Sequence, residues 1–323
     1  MIRYIRRDAE TLDDAQWNEF FTNYNNNIIK GKIDDTNPKL IKLKAFANEV
    51  GQPIVTTFNI SGPRLVVTPN FETFAGDAEA HNNAITEIPV LNYLINIHYI
   101  GMMFPLNPAA TDKKRNHGTN IFLSWHRMFL LEFEEFLGSP SHYWNWYDNQ
   151  DVPVKMQATN LKEVIKDGAT KFYKDLNRKS ESIIEGSSAI ANSKAEFQEL
   201  FTNSWKSLYD SSRIDSFTKI SRHIEGSLHN NMHNAIGGDS MSNPIFSPHD
   251  PIFWFHHSFV DKIWADFYNT LSDDEKDAIT DYPDNEMPFF DKKANEIKDI
   301  KLDQKISYHG LLKDRSLVSN PSL

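Results

Sequence analysis

The chain has 323 residues, of which 24% are charged, and a formal net charge of −10. This acidic balance argues against nucleic-acid binding, which needs a basic stripe on the surface. Because the chain has no cysteine, it can form neither a disulfide framework nor a thiolate metal site, and any metal must be bound by His, Asp, Glu or backbone groups.

The N-terminal stretch MIRYIRRDAETLDDAQWNEFF has arginines and acids where a signal peptide would have an apolar core. No run of ~18 apolar residues occurs in the chain, so no membrane-spanning helix is expected. The sequence therefore favours a cytoplasmic protein without a membrane or nucleic-acid partner.

The hydrophobic pattern predicts helices along most of the chain and one β element. Trp17, Phe20 and Tyr24 recur at helical spacing and predict a helix over residues 10–24, capped by Thr11. Two β-branched runs within residues 53–75 predict a strand pair. Further apolar helices are predicted over residues 87–104, 120–138, 224–236 and 251–271. With no linker or internal repeat, the expectation is one mainly α domain over residues 1–323.

Histidines recur on the apolar helices. His229 and His233 are four residues apart and lie on one helix face, with Glu225 four residues earlier. His98, His126 and His257 each lie in another apolar helix. An ionisable ring on a buried face needs a partner. Four buried helices with histidines therefore indicate a bundle whose interior holds a ligand.

His117 requires a different placement. It precedes His126 by nine residues, so the two would lie on opposite faces of one continuous helix. Both can point inward only if His117 lies in the loop before the helix. The prolines and glycine of PLNPAATDKKRNHG support that loop.

The residue types limit which metal ion the histidines could bind. Zinc proteases use H-E-x-x-H, but Asn230 follows His229 here. Di-iron bundles need bridging carboxylates, which the other positions lack. Neutral imidazoles suit copper, zinc or nickel, and six of them in two groups of three would hold two copper ions.

Two long motifs resemble those of the tyrosinase family. HGTNIFLSWHRMFLLEFE is similar to its copper-A signature, and HNNMHNAIGG followed by SPHDPIFWFHHSFVDKIW is similar to its copper-B signature. The resemblance implies a four-helix bundle that holds a dinuclear type-3 copper centre, with dioxygen and a small phenol as substrates. It implies that copper A is bound by His98, His117 and His126, and copper B by His229, His233 and His257.

The resemblance also assigns roles around the metals. Asp261, one turn after His257, is expected to orient that ring, and a carboxylate partner would fix its tautomer. His256 is expected to point elsewhere and to lie beside the metal ligands without binding the metal. Phe253 belongs to an aromatic shell that excludes water. Asn230 and Glu225 match the positions thought to hold a water that deprotonates a phenol.

Three activities remain open within the family: tyrosinase, catechol oxidase or o-aminophenol oxidase, and dioxygen-binding hemocyanin. Tyrosinase activity is the expectation. Departures from the family pattern include the missing cysteine thioether and polar residues expected near the substrate mouth, namely Asn234, Asn243 and His249. Residues 51–82 are interpreted as a β-containing insertion, and residues 283–323 as a C-terminal extension.

Overall fold

The computed structural model describes residues 4–61, 64–70, 74–103, 115–164, 176, 178–186, 190–210, 214–282, 287–298 and 306–310. Much of the proposed C-terminal extension and part of the insertion therefore lie outside the described residues. Among the described residues, no helix combines the length and apolar character needed to cross a bilayer.

Helices dominate, as the sequence predicts. In chain order they are α1 (Asp14–Asn23), α2 (Pro38–Glu49), α3 (Ala78–Asn83), α4 (Val90–Met103), α5 (Phe122–Leu137), α6 (Ala158–Val164), α7 (Ile183–Gly186), α8 (Lys194–Ser207), α9 (Phe217–His223), α10 (Asn230–Ile236), α11 (Gly238–Met241), α12 (Pro251–Thr270) and α13 (Asp273–Ala278). One π-helical turn, Ile224–His229, joins α9 to α10, and another, Tyr24–Ile29, follows α1.

The strands form three two-stranded pairs. They are β1 (Tyr4–Arg6), β2 (Lys32–Asp34), β3 (Thr57–Ser61), β4 (Arg64–Thr68), β5 (Glu87–Pro89) and β6 (Ile306–Tyr308). β3 and β4 pair antiparallel and form the predicted strand pair. β1 pairs with β6 in parallel, so a strand from each end of the described chain meets there.

Local sequence signals fix most helix ends. Asp250 caps α12, since its carboxylate accepts the Ile252 N–H at 3.1 Å, and Pro251 is the first helical residue, as predicted. Gly138 ends α5 in the left-handed conformation with φ 77°. The predicted Thr11 cap is wrong: Asp13 caps α1, because its carboxylate accepts the Gln16 N–H in a reciprocal capping box.

Four helical segments surround the centre of the molecule: α4, α5, the continuous run from α9 through the π turn to α10, and α12. The predicted helix over residues 224–236 is too short, since this run begins at Phe217 with Ser216 as its cap. α5 packs against α12 and α9, and α12 packs against the π turn. Burying the apolar faces of these helices forms one core around the histidines.

A buried ion network joins the two ends of the described chain to the bundle. Arg6 on β1 donates to both carboxylate oxygens of Glu134 on α5, at 2.8 and 2.7 Å, and to Asp261 on α12 at 2.9 Å. Arg127 donates to the other oxygen of Asp261 at 2.6 Å, and the Tyr308 hydroxyl on β6 donates to Asp261 at 2.7 Å. Because these charged groups have oppositely charged, hydrogen-bonded partners, the cost of removing them from water is offset and they can be buried.

The insertion is attached to α4. The backbone N–H of Val55 donates to the Asn96 side-chain oxygen at 2.8 Å, and the Asn96 amide donates back to the Val55 carbonyl at 2.8 Å. Asn96 is fully buried and lies two residues before His98. The chain before the hairpin therefore holds the helix that carries the first histidine of the site.

Candidate metal centre

A first cluster joins three histidines from three segments. His98 lies on α4, His117 in the loop before α5, and His126 on α5, and one nitrogen from each ring lies within 4.8 Å of the others. The Nε2 atoms of His98 and His126 are 3.4 Å apart. The predicted loop position of His117 is confirmed, and it brings this ring to the two helical ones.

A second cluster contains four histidines. His229 ends the π turn and His233 lies on α10, while His256 and His257 are adjacent on α12. The Nε2 atom of His257 lies 3.2 Å from the Nε2 atoms of both His229 and His233. The four-residue spacing of His229 and His233 thus directs both rings to one point, as predicted.

Hydrogen bonds determine which ring nitrogen faces each cluster. In four of the rings Nδ1 contacts an oxygen that can only accept, so Nδ1 carries the proton. These pairs are His117 with Asn116 Oδ1 at 2.8 Å, His126 with the Phe122 carbonyl at 2.8 Å, His229 with Asn230 Oδ1 at 2.9 Å, and His233 with the Met241 carbonyl at 2.8 Å. Their Nε2 lone pairs then face the clusters, where only a metal or a donor can satisfy them.

The cluster histidines are neutral near pH 7. Burial lowers the pKa of each ring, and neighbouring rings lower most of them further; the pKa of His233 falls to about 4. Neutral imidazoles with convergent Nε2 lone pairs are the donor set that binds copper or zinc. The residues present therefore fit a metal ion at each cluster.

The two clusters are in contact. The rings of His126 and His257 stack with centroids 4.5 Å apart and planes 11° apart. Phe122 lies between the clusters, with its ring 4.5 Å from His126 and 4.8 Å from His229. Phe253 packs 4.1 Å from His257 and also contacts His98. Phe122 and Phe253 therefore pack directly against histidines of both clusters.

Asn116 was not predicted from the sequence, and it connects two rings of the first cluster. Its Nδ2 donates to the His98 carbonyl at 2.9 Å, and its Oδ1 accepts from His117. Gly101 permits this approach, since a Cβ there would lie 2.9 Å from Asn116 Nδ2. Its position next to His117 could have identified Asn116 in the sequence, because a polar side chain beside a metal-binding histidine often orients the imidazole ring.

A small cavity of about 170 Å³ opens onto the histidines. Its wall contains one histidine of the first cluster, two of the second, and neighbouring polar and small residues: His117, His229, Asn230, His233, Asn234, Met241, Ser242, Pro244 and Ser247. Some residues were predicted to lie at the substrate mouth or to take part in catalysis. Of these, Asn230 and Asn234 form part of the cavity wall.

Other predicted mouth residues lie elsewhere. His249 is only 2% exposed, in a 3-10 turn, and does not line the cavity. The Asn243 side chain accepts the Ile245 N–H at 3.0 Å and caps a turn, because a short amide readily bonds the backbone two residues on. Neither side chain forms part of the wall of this cavity, and the expected contacts of both residues with a substrate stay predictions.

Glu225 lies on the π turn and is not one of the residues that line the cavity. Its carboxylate accepts the Gly118 N–H at 2.8 Å, one residue after His117. Burial raises the pKa of Glu225 to about 7, against the opposing effects of the Gly118 hydrogen bond and of Arg222 and Arg115. A carboxyl group with this pKa can exchange a proton near neutral pH.

Two expectations about α12 are corrected. Asp261 does not accept from His257, because its oxygens bind Arg127, Arg6 and Tyr308, and within the described residues His257 Nδ1 has no hydrogen-bond partner. His256 does not point away: one of its nitrogens lies within 4.8 Å of those of His229, His233 and His257.

Comparison with known proteins adds independent observations. The sequence matches the family described as the common central domain of tyrosinase over residues 90–270, which contain both clusters. It is 27% identical to a tyrosinase of Streptomyces glaucescens over 196 residues, covering 51% of this chain and 68% of that protein. It is also 27% identical to a hemocyanin G-type of Enteroctopus dofleini over 164 residues, covering 46% of this chain and 6% of that protein. The fold resembles a Vitis vinifera polyphenol oxidase, with a TM-score of 0.55 and 14% identity over 96% of this chain and 85% of that one.

Proposed function

Because the chain belongs to the tyrosinase family, whose members use a dinuclear copper centre, we propose that it hydroxylates monophenols and oxidises o-diphenols to o-quinones with dioxygen. The observation that carries the proposal is the direct contact of two imidazole clusters through the stacked rings of His126 and His257. The parallel β1–β6 pair supports one catalytic domain that includes residues 4–6 and 306–308.

The proposed ligands are three histidines for each copper. His98, His117 and His126 would hold copper A, and His229, His233 and His257 would hold copper B. Bound copper supplies reversible one-electron chemistry at two adjacent sites, which the two-electron reduction of dioxygen requires. The protein supplies neutral nitrogen ligands, which suit both copper oxidation states.

The residues on the wall would bind and orient the phenol. The cavity of about 170 Å³ fits a small aromatic ring rather than a large substrate. Phe122 and Phe253 exclude bulk water from the histidines, which strengthens electrostatic interactions inside the site. Asn234, which is exposed, would contact polar groups of the substrate at the opening.

The phenol must lose its proton, since its pKa is about 10 in water. Asn230 uses Oδ1 to orient His229, and its Nδ2 remains available for a water at the wall. Glu225 would accept the proton through that water, with Gly118 holding one carboxylate oxygen in place. Its pKa of about 7 matches a base that acts near neutral pH.

Oxidation of o-diphenols or o-aminophenols without monophenol hydroxylation is the second candidate, and a dioxygen-binding protein is the third, favoured only by the similarity to hemocyanin. A substrate panel separates them. Copper-loaded protein is assayed with monophenols, o-diphenols and o-aminophenols. Turnover of the first two classes is expected, turnover of diphenols or aminophenols alone would establish the second candidate, and dioxygen binding without turnover the third.

The panel is repeated with Asn230→Ala and with Asn231→Ala as a matched control, since Asn231 bonds the Ser227 carbonyl on the same helix instead. Monophenol hydroxylation should fall more than diphenol oxidation in Asn230→Ala only. Metal analysis accompanies the assay. About two copper ions per chain are required by the two clusters, and a protein that retains zinc after copper loading would refute the copper oxidase.

A further inference from the structure

Two histidines of the second cluster lie on separate helices, which must keep a fixed separation. His233 lies in the last turn of α10, and His257 lies in the second turn of α12. Their Nε2 atoms are 3.2 Å apart. A binding site works well only when such groups are held within about 0.5 Å of their productive positions. A connection between the end of α10 and the start of α12 would therefore determine how well the two rings converge.

Arg178 provides the half of this connection that reaches α12. Its guanidinium donates to both carboxylate oxygens of Asp250, at 2.8 and 2.6 Å. Asp250 is fully buried, and the same carboxylate caps α12 by accepting the Ile252 N–H. Only 2% of the Arg178 side chain is exposed. Because a bidentate pair of this kind has a defined geometry, the position of Arg178 determines where α12 begins.

The residues that follow Arg178 hold the end of α10. The backbone N–H groups of Lys179 and Ser180 both donate to the Ile236 carbonyl, at 2.8 and 3.2 Å. Ile236 is the last residue of α10, where helix carbonyls need partners from outside the helix. Further along the same segment, α7 packs against α10. Residues 178–186 therefore contact α10 near its C-terminal end and α12 at its N-terminal end.

The Arg178 guanidinium is also held within its own segment. Its Nη1 atom donates to Glu181 Oε2 at 2.7 Å and to the Met156 carbonyl at 2.9 Å. Four hydrogen bonds thus fix a planar group that has five donors. A lysine at this position could carry the charge but could not make this set of contacts.

We propose that Arg178 is a positioning residue for the second cluster. By joining the end of α10 to the capping carboxylate of α12, it sets how closely His233 and His257 converge on a metal ion. The inference rests on the proposed metal sites and extends them. Arg178 does not line the cavity, so it acts on the metal through the two helices. The first cluster takes its histidines from α4, α5 and the loop before α5, and it therefore serves as an internal reference.

The test follows both clusters in one sample. Metal-free protein that contains isotope-labelled histidine is titrated with Cu(I), which is diamagnetic, against a competing chelator. The magnetic resonance signals of the His233 and His257 rings report on the second cluster, and those of His98 and His126 report on the first. The affinity of each cluster is thereby measured separately and without turnover.

Three variants change the connection to different extents. Arg178→Met removes the charge and all the donors, and Arg178→Lys keeps the charge without the bidentate geometry. Asp250→Asn keeps an oxygen that can cap α12 but loses the ionic pair, and it provides the test if Arg178→Met does not fold. Cu(I) affinity at the second cluster should fall by at least about tenfold in Arg178→Met and Asp250→Asn, as when a group that orients a metal ligand is lost. The loss should be smaller in Arg178→Lys, and the first cluster should keep its wild-type affinity in all three.

Lys39→Met is the matched control, since it also removes a cation from an ion pair, with Glu132 at 2.6 Å, but on α2 and α5. It should leave the second cluster unchanged. Equal weakening of both clusters in the Arg178 and Asp250 variants would show a general loss of stability and overturn the proposal. A lower thermal midpoint with unchanged Cu(I) affinity at the second cluster would overturn it as well.

These outcomes are distinct from failure of the proposed function. If the Arg178 and Asp250 variants keep wild-type affinity at both clusters and still oxidise phenols, the positioning role is wrong and the copper oxidase stands. If the wild-type protein binds no Cu(I) at either cluster, the proposed copper oxidase is wrong as well.

Discussion

The carboxylate of Glu225 accepts a hydrogen bond of 2.8 Å from the backbone N–H of Gly118. Gly118 follows His117 in the loop before α5 and has φ +67°, a conformation that suits glycine. The hydrogen bond therefore ties the π turn of the second cluster to the loop of the first. A single carboxyl group thus contacts the loop that carries a proposed copper ligand, and it is also the group proposed to accept the proton of the phenol.

Replacing Glu225 with glutamine should separate its hydrogen bond with Gly118 from its proposed role as a proton acceptor. Glu225→Gln keeps an oxygen that accepts the Gly118 N–H but cannot take a proton from the phenol. Monophenol hydroxylation is expected to fall by ~10²-fold or more in kcat/KM, the usual contribution of a general base. Diphenol oxidation by the same preparation is the internal control and should stay close to wild type. Equal losses in both reactions would assign Glu225 a positioning role only.

Asn116 should control metal binding at the first cluster. Asn116→Leu removes the acceptor of His117 and the donor to the His98 carbonyl while keeping the site buried. Loss of a partner that orients a ligand typically weakens metal affinity by about 10–100-fold. Copper titration should therefore show one weakened and one unchanged site. Asn231→Leu serves as the control, because the Asn231 amide donates to the Ser227 carbonyl instead. Two unchanged sites in Asn116→Leu would contradict the role.

Metal removal should destabilise the protein, because the convergent Nε2 lone pairs lose their only strong partner. A ligand at 100 times its dissociation constant stabilises the folded state by about 2.7 kcal/mol per site. Thermal unfolding with copper and with chelator should show a clearly lower midpoint after metal removal. Mg²⁺, which prefers oxygen ligands, should not restore it. Identical midpoints with copper and chelator would argue against occupied metal sites.

His142 should make folding sensitive to acid. Burial, together with the charges of Arg7 and Arg6, lowers its pKa from 6.5 to about 4. The unfolded chain therefore binds the proton first as pH falls, so the free energy of unfolding decreases between pH 6.5 and about 4. At 1.36 kcal/mol per unit of pKa shift, the loss is up to roughly 3 kcal/mol. Above pH 6.5 the ring is neutral in both states and the contribution is complete.

The replacement His142→Asn tests this sign. His142 has φ 59°, which asparagine tolerates, and Asn keeps an oxygen near the Arg7 N–H. Urea unfolding is measured at pH 7 and pH 5 with chelator present, so that metal release contributes to neither protein. The variant should lose less stability between the two pH values than the wild type. Parallel losses would exclude His142 as a source of acid sensitivity.

The buried ion network should matter far more than surface pairs. Arg6→Leu leaves Glu134 without its cation and weakens the neutralisation of Asp261, and breaking a buried pair typically costs about 3–5 kcal/mol. Lys32→Leu is the control, since its pair with Glu87 is more than half exposed and contributes at most about 1 kcal/mol. Similar changes in the free energy of unfolding would show that the network is not a major stabilising element.

The parts of the fold that could be predicted depend on short-range signals. Apolar helical spacing found α4, α5 and α12, and Asp250-Pro251 marked where α12 begins. The four-residue spacing of His229 and His233 was sufficient to bring their rings together. The loop position of His117 followed from the geometry of a nine-residue separation.

The parts that could not be predicted depend on packing between distant segments. Asp261 binds Arg6, which lies 255 positions away, so nothing near Asp261 indicated that its carboxylate was already engaged. Phe122 carries no polar atom that would distinguish it on an apolar helix. His256 was misplaced because adjacent helical residues point about 100° apart, whereas the second cluster is wide enough to contact both His256 and His257.

Because β6 is synthesised long after β1, the β1–β6 pair can form only late during translation. About 300 residues separate the two strands, and at roughly 5–20 residues per second their synthesis takes about 15–60 s. Throughout that time the nascent chain lacks the Tyr308 hydroxyl that completes the network around Arg6 and Asp261. All seven cluster histidines lie between positions 98 and 257 and are made before β6. The polypeptide can therefore bind metal ions at its histidine clusters while β6 is still being translated.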